Sequence, residues 1–136
     1  MRLEPYLHFN GNCEAALKYY EKELGAKIEA ILPFSGAPDG MPLPAGWENK
    51  VMHARILIGE SALMASDAPP GHFKPMQGCS ITLQVDDPKD AERRFNALLQ
   101  GGSVTMPFGP TFFAKGFGIC VDKFGIQWMV NCPLEQ

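Results

Sequence analysis

The same order of predicted elements occurs twice in this chain of 136 residues, and this internal repeat restricts the possible folds more than any other feature. Each half predicts one strand, one helix and three further strands. The helices end near Leu24 and Leu99, and tight turns at Gly59 and Gly125 precede the last strand of each half. Helices alternate too rarely with strands for a doubly wound parallel sheet. The sequence therefore predicts an α+β fold built from two β-α-β-β-β modules.

The first half contains a helix with clear start and stop signals. Asn12 is a typical N-cap residue, and Gly25 is a typical residue just after a helix C-terminus. Between them, apolar residues recur at helical spacing at Cys13, Ala16, Leu17, Tyr20 and Leu24. Strands are predicted over residues 3–9, 26–34, 51–58 and 61–66.

The second half repeats this pattern. Asp87 is a predicted N-cap followed by Pro88, and the apolar stripe of the helix is formed by Ala91, Phe95, Leu98 and Leu99. Strands are predicted over residues 79–85, 103–108, 117–121 and 126–132. Alternation in the first of these places Ile81, Leu83 and Val85 on one face and Ser80, Thr82 and Gln84 on the other. One apolar and one mixed face predict a sheet that a helix covers on one side, leaving the other side free to line a cavity.

Proline and glycine are concentrated between the predicted elements. Many of the 12 prolines and 14 glycines lie in residues 33–46 and 68–75, and such clusters are typical of loops. The stretch 34–50 has no counterpart in the second half, so we interpret it as an insertion loop. We expect one domain over residues 1–136, with modules at about 1–70 and 76–136.

The overall composition excludes several classes of protein. A net charge of −3 lacks the basic excess of a nucleic-acid binder. No apolar run approaches the roughly 18 residues of a membrane span, and the N-terminus does not read as a signal peptide. The four cysteines show no zinc-binding spacing, which predicts reduced thiols in a cytoplasmic protein. We therefore expect neither nucleic acid nor membrane as a partner.

Four segments carry a resemblance to a known superfamily. They are residues 5–16 (PYLHFNGNCEAA), 63–68 (LMASDA), 116–118 (GFG) and 122–131 (DKFGIQWMVN). With the two modules, they resemble the vicinal oxygen chelate superfamily of glyoxalases, bleomycin-resistance proteins and dioxygenases, and in particular its PhnB-like branch. The resemblance implies a cup-shaped, curved mixed sheet with the helices on its outer face. It also implies a homodimer.

The resemblance further implies where a metal would be held. The metal enzymes of the superfamily place one ligand on the first and one on the last strand of each module, and these positions fall on Glu4, Met64, Ser80 and Met129. One carboxylate, one hydroxyl and two thioethers suit a catalytic divalent metal poorly. We therefore expect no metal and no cofactor, and a PhnB-like protein that binds a small molecule. The alternatives are an enzyme acting on a small metabolite, with or without a divalent metal, and a purely structural protein.

Several residues are candidates for lining the cup. Strand phase places Tyr6 beside His8, which would act as a general base or ligand-binding group, or would be satisfied by a neighbouring strand. His53 and Arg55 share a face and would suit an anionic ligand, or would point to solvent. Trp47 ends the insertion loop, as a mobile aromatic lid or as a side chain docked on the protein surface or in a dimer interface.

Other residues have more structural interpretations. Trp128 is predicted in the core under a helix, His72 on the surface, and Asp67 as a side chain that fixes the following turn. The aromatic residues Phe108, Phe112 and Phe113 are predicted to form an apolar wall of the cup. The ligand-binding set is thus Tyr6, His8, Trp47, His53, Arg55, Met64, Ser80 and Met129.

Overall fold

The computed structural model describes residues 1–36 and 42–134. The chain divides into two compact units, Met1–Pro75 and Met76–Gln136. Within the described residues, each unit contains one α-helix and one four-stranded sheet. No helix in these residues is long and apolar enough to cross a membrane. The predicted fold of two β-α-β-β-β modules is confirmed.

The first unit is a mixed sheet with the strand order β1-β4-β3-β2. Its strands are β1 (Tyr6–Phe9), β2 (Lys27–Pro33), β3 (Val51–Ile58) and β4 (Ser61–Asp67), with helix α1 at Cys13–Leu24 and a short 3₁₀ helix at Phe34–Gly36. Strand β1 runs parallel to β4, and the other pairs are antiparallel. The predicted insertion loop at 34–50 includes residues 37–41, which lie outside the described part of the chain.

The second unit repeats this topology with the order β5-β8-β7-β6. Its strands are β5 (Ile81–Gln84), β6 (Ser103–Gly109), β7 (Ala114–Val121) and β8 (Gln127–Pro133), with helix α2 at Pro88–Leu99. Strand β5 runs parallel to β8. In both units the first and last strands are therefore neighbours, although the whole unit separates them in sequence.

Helix α1 buries the stripe that its sequence predicts. All five apolar residues, Cys13, Ala16, Leu17, Tyr20 and Leu24, are buried. The helix ends at Gly25, whose φ of 70° lies in the left-handed region that glycine adopts without strain. In helix α2, the predicted N-cap Asp87 accepts a hydrogen bond from the Asp90 amide at 3.1 Å.

Asn12 occupies the predicted N-cap position of α1, and its backbone carbonyl accepts from the Ala16 amide at 3.1 Å. The Asn12 side chain makes no capping hydrogen bond. The Cys13 amide donates instead to Asp67 Oδ1 at 2.9 Å, and the other carboxylate oxygen accepts from the Val51 amide at 2.9 Å. Asp67 is only 2% exposed. Its role is therefore to join the ends of α1, β3 and β4, rather than to fix the turn that follows it.

The second unit has an aromatic core beneath α2. Trp128 is buried as predicted, and its indole N–H donates to Asp122 Oδ2 at 2.8 Å. Phe108 packs against Phe95 of α2, with ring centroids 5.6 Å apart. The prediction of Phe108 as part of a cup wall is therefore wrong, because this side chain lies on the helix side of the sheet.

Two strands begin three residues away from their predicted starts, whereas the other strand boundaries differ by two residues at most. Strand β1 begins at Tyr6 rather than at residue 3, and the residue before it is Pro5, which has no N–H to contribute to the sheet. Strand β7 begins at Ala114 rather than at Phe117, because the Gly116 segment stays paired with Cys132 of β8. A stretch with two glycines has low strand propensity, and its pairing partner is not visible in the local sequence.

Candidate functional site

The face of the first sheet away from α1 carries most of the predicted site residues of this unit. In β1, Tyr6 and His8 alternate with the buried residues Leu7 and Phe9. The strand register places Met64 directly opposite both Tyr6 and Arg55. We call this surface the first open face and define it by Tyr6, His8, His53, Arg55 and Met64.

Three rings meet on the first open face. The Tyr6 hydroxyl lies 3.1 Å from His53 Nδ1, within hydrogen-bonding distance. The Tyr6 ring is also tilted against His8, with centroids 5.1 Å apart, and lies 5.7 Å from the His53 ring. Tyr6 and His8 are exposed and His53 is half-buried. The cluster therefore offers aromatic surface together with imidazole nitrogens that can donate or accept hydrogen bonds.

Arg55 is held between two carboxylates. Its Nη2 donates to Glu4 Oε1 at 2.7 Å, and its Nη1 donates to Glu29. The hydrogen bond from Arg55 lowers the pKa of Glu4 below its usual value, and the same bond raises the pKa of Arg55. The side chains of Glu4 and Arg55 are 16% and 22% exposed. The guanidinium is thus already paired with two negative charges, which leaves little attraction for an anionic ligand.

The residues at the superfamily's metal positions do not fit a catalytic divalent metal. Glu4, the one carboxylate among them, is bonded to Arg55, so a metal would have to displace a guanidinium. Met64, Ser80 and Met129 supply two thioethers and a hydroxyl, which bind such ions weakly. Within residues 1–36 and 42–134, no group of three or more His, Cys, Asp or Glu side chains is placed to hold a metal ion.

The second unit presents a corresponding surface away from α2. Met129 lies opposite Thr82 in the register, as Met64 lies opposite Tyr6 in the first unit. Ser80 lies just before β5 and is half-buried. We call this surface the second open face and define it by Thr82, Gln84, Phe117, Met129 and Asn131.

Trp47 packs on its own unit. Its ring contacts Phe34 edge-on, with centroids 5.6 Å apart. Backbone hydrogen bonds from Phe34 to Lys50 and from Ser35 to Glu48 hold the two arms of this segment together. Of the two interpretations of Trp47, this contact favours docking on the protein's own surface over a lid. His72 is exposed, as expected.

Three polar residues near these faces were not among the sequence candidates. Glu29 lies at the register shift between Ile28 and Ala30 and reaches Arg55 of the neighbouring strand β3, a pairing that is not visible in the local sequence. Gln84 and Asn131 were detectable, since alternation already placed Gln84 on the uncovered face of its strand. Asn131 follows Met129 by two residues and shares its face.

Comparisons with known proteins agree on one family. The family model described as 3-demethylubiquinone-9 3-methyltransferase matches residues 1–131. Protein YjdN of Escherichia coli K12 is 34% identical over 147 residues, covering all of this chain and 98% of that protein.

Solved structures show the same relationship. Protein PA1353 from Pseudomonas aeruginosa is 51% identical, with a TM-score of 0.89 and 99% of each chain covered. The PhnB protein from Bacillus cereus is 25% identical, with a TM-score of 0.81, covering 97% of this chain and 99% of that one. A glyoxylase/bleomycin resistance protein/dioxygenase domain from Frankia shares the fold at 13% identity and a TM-score of 0.67, with 98% of each chain covered. The chain therefore belongs to the PhnB-like family, whose model is described as 3-demethylubiquinone-9 3-methyltransferase, and has the vicinal oxygen chelate fold.

Proposed function

We propose that this protein binds a small, uncharged or weakly basic organic molecule on the first open face without a metal ion. The observation that carries this proposal is the ion pair of Glu4 with Arg55 at 2.7 Å. It occupies the one carboxylate that the superfamily pattern would assign to a metal. Because two carboxylates surround one guanidinium, the same arrangement favours neutral or cationic ligands over anionic ones.

The shape of the first open face supports a flat ligand. The tilted rings of Tyr6 and His8 provide a surface for stacking, and Met64 adds an adaptable apolar neighbour. The His53 ring and the Tyr6 hydroxyl supply polar groups beside it. An aromatic molecule with one or two hydrogen-bonding substituents matches this combination. The ligand contacts predicted from the sequence at Ser80, Met129 and Trp47 lie outside the first open face and stay predictions.

Methyl transfer, which the family description names, has less support. A nucleotide-type cofactor commonly uses a glycine-rich loop and a free helix N-terminus beyond the first strand of a parallel sheet. Here the sheets are mixed, and carboxylates already cap both helices, Asp67 at α1 and Asp87 at α2. We therefore expect S-adenosylmethionine to leave the melting temperature unchanged.

A thermal-shift screen tests the binding proposal. A library of neutral, basic and acidic aromatic compounds should contain members that raise the melting temperature, because a ligand at a hundredfold excess over its Kd stabilises the folded state by about 2.7 kcal/mol. The Tyr6→Ala and His53→Ala variants should lose this response, whereas His72→Ala, at an exposed position, should keep it. Hits confined to acidic compounds, or hits that survive Tyr6→Ala, would contradict the proposal.

A metal titration tests the second half of the proposal. Calorimetry with Ni²⁺ and Mn²⁺ should detect no stoichiometric site in the wild-type protein. If a site appears and Glu4→Gln abolishes it while Glu21→Gln does not, the metal-independent reading is wrong. In that case the superfamily's metal chemistry becomes the better description.

An enzyme is the second candidate function. The contact of the Tyr6 hydroxyl with His53 Nδ1, beside the exposed His8 ring, favours it, because such groups can exchange protons with a bound substrate. Once a substrate is identified, His8→Ala should abolish turnover and change the substrate Kd by no more than about threefold from the wild-type value. Unchanged turnover in His8→Ala would remove His8 from the mechanism.

The homodimer and the cytoplasmic location stay predictions. Sedimentation equilibrium over a range of protein concentrations tests the first. A single species at the monomer mass of 14.9 kDa would contradict it.

A further inference from the structure

The second open face contains an amide pair with an unfulfilled hydrogen bond. Gln84 at the end of β5 and Asn131 in β8 lie directly opposite each other in the parallel register. Asn131 Nδ2 donates to Gln84 Oε1 at 2.8 Å. Asn131 Oδ1 is buried, and no residue in the described part of the chain donates to it. Native proteins rarely leave a buried carbonyl group without a donor.

The surroundings of this carbonyl group are aromatic and apolar. Phe117 of β7 lies directly opposite Asn131, and the Phe113 ring packs edge-on against Phe117 with centroids 5.0 Å apart. Met129 precedes Asn131 by two residues on the same face. The site thus combines one unsatisfied acceptor with an aromatic wall, which is the composition of a small-molecule subsite.

The two amides define the chemistry of a matching ligand. The hydrogen bond between the two side-chain amides uses the NH₂ group of Asn131 and the carbonyl group of Gln84. The acceptor Asn131 Oδ1 and the donor Gln84 Nε2 remain for a ligand. Gln84 is exposed, so its side chain can rotate and admit a ligand to Asn131. A group that carries an N–H donor next to a carbonyl acceptor satisfies both amides at once.

We infer that Gln84 and Asn131 form a subsite for the carboxamide or lactam edge of an aromatic ligand. The ligand N–H donates to Asn131 Oδ1, its carbonyl oxygen accepts from Gln84 Nε2, and its ring lies against Phe117. This subsite uses residues of the second unit alone. It therefore goes beyond the binding proposed on the first open face and holds whether or not that proposal does.

Titration with benzamide, followed by ¹⁵N nuclear magnetic resonance, tests the subsite. Benzamide should shift the side-chain amide signals of Gln84 and Asn131 and the backbone signal of Phe117 in a saturable manner. Acetophenone has the same ring and carbonyl group but no N–H, and it should bind about tenfold more weakly. Asn131→Ala should weaken benzamide binding by about tenfold as well, whereas Asn96→Ala on the exposed side of α2 should not.

A second variant covers a loss of folding in Asn131→Ala. Gln84 is exposed, so Gln84→Met removes the donor at little risk to the fold and should also weaken benzamide binding by about tenfold. Equal affinities for benzamide and acetophenone would overturn the inference. So would benzamide binding that both variants leave unchanged, or the absence of saturable shifts up to the solubility limit of benzamide.

Discussion

Two buried aspartates organise the backbone of the two units. Asp67 accepts from the amides of Cys13 and Val51 in the first unit. Asp122 accepts from the Phe124 and Ile126 amides and, through its other oxygen, from the Trp128 indole. Each carboxylate accepts from at least two buried N–H groups, which makes it hard to substitute.

Replacing Asp67 with asparagine should be strongly destabilising. The amide NH₂ would face either the Cys13 or the Val51 amide, so one buried donor would lose its acceptor and meet another donor. We expect a loss of about 2–4 kcal/mol in the free energy of unfolding, measured by urea denaturation. The control is Asp86→Asn at an exposed position, which should cost less than about 0.5 kcal/mol. Equal effects would show that the Asp67 bonds contribute little.

Thiol reactivity should separate one cysteine from the other three. Cys79 is exposed, whereas Cys13, Cys120 and Cys132 are buried. Burial raises the pKa of Cys120 to about 11, and it raises the pKa of Cys13 still further above its usual value. At about pH 8, we expect Ellman's reagent to label one thiol quickly and the rest only on unfolding. A fast phase that persists in Cys79→Ser would contradict this assignment.

At the level of elements, the Glu4–Arg55–Glu29 cluster joins the segment before β1 to β3 and β2. The ion pair lowers the pKa of Glu4 below its usual value of 4.5. A carboxylate with a lowered pKa stabilises the folded state above pH 4.5, and this contribution is lost as the pH falls below 4.5 towards the folded-state pKa.

The melting temperature of the Glu4→Gln variant should therefore depend less on pH in the acid range than that of the wild type. We expect the melting temperatures of the two proteins to converge as the pH is lowered from about 6 to about 3, because only the wild type loses the ion pair. The melting temperatures of both proteins should still fall to some extent with pH, since Arg94 and Arg93 also lower the pKa of Asp90. Parallel profiles of the wild type and the variant would show that the ion pair is not coupled to folding.

The glycines of β7 allow an aromatic ring to pack on that strand. A Cβ added at Gly116 would overlap the Phe108 ring, and one added at Gly118 would lie 2.8 Å from Phe95 Cε2. Gly116→Ala should cost about 1–3 kcal/mol of unfolding free energy in denaturant titrations. Gly109→Ala has open space around it and should be close to neutral. A neutral Gly116→Ala would mean that Phe108 can move away without cost.

Periodicity predicted the elements well because it reports burial. The α1 stripe from Cys13 to Leu24 and the alternation in β5 follow directly from which side chains leave water. Contacts between distant residues were not predictable in this way. The cap of α1 comes from Asp67, 54 residues away, and Glu29 of β2 contacts Arg55 of β3, 26 residues away. The sequence therefore predicted which site residues share one face of the sheet, but not which of them contact each other.

At the scale of the whole molecule, the expectation of one domain means that the two units should unfold together. Trp47 belongs to the first unit and Trp128 to the second, so each unit carries its own fluorophore. In Trp47→Phe, fluorescence reports Trp128 alone, while far-UV circular dichroism reports both units. We expect the two signals to follow one urea transition, as they must if the chain unfolds in a single step. Two separate transitions would show that the units are independent domains.

The parallel pairing of the first and last strands has a consequence for synthesis on the ribosome. Strand β1 emerges early but has no partner until β4 is made, and β5 waits in the same way for β8. Chains grow at about 5–20 residues per second, so each unpaired strand edge is exposed for seconds. Once residue 75 has emerged, the first unit has all its strands, whereas the second must await β8. Nascent chains stalled before β8 should therefore be the species that most need protection from aggregation.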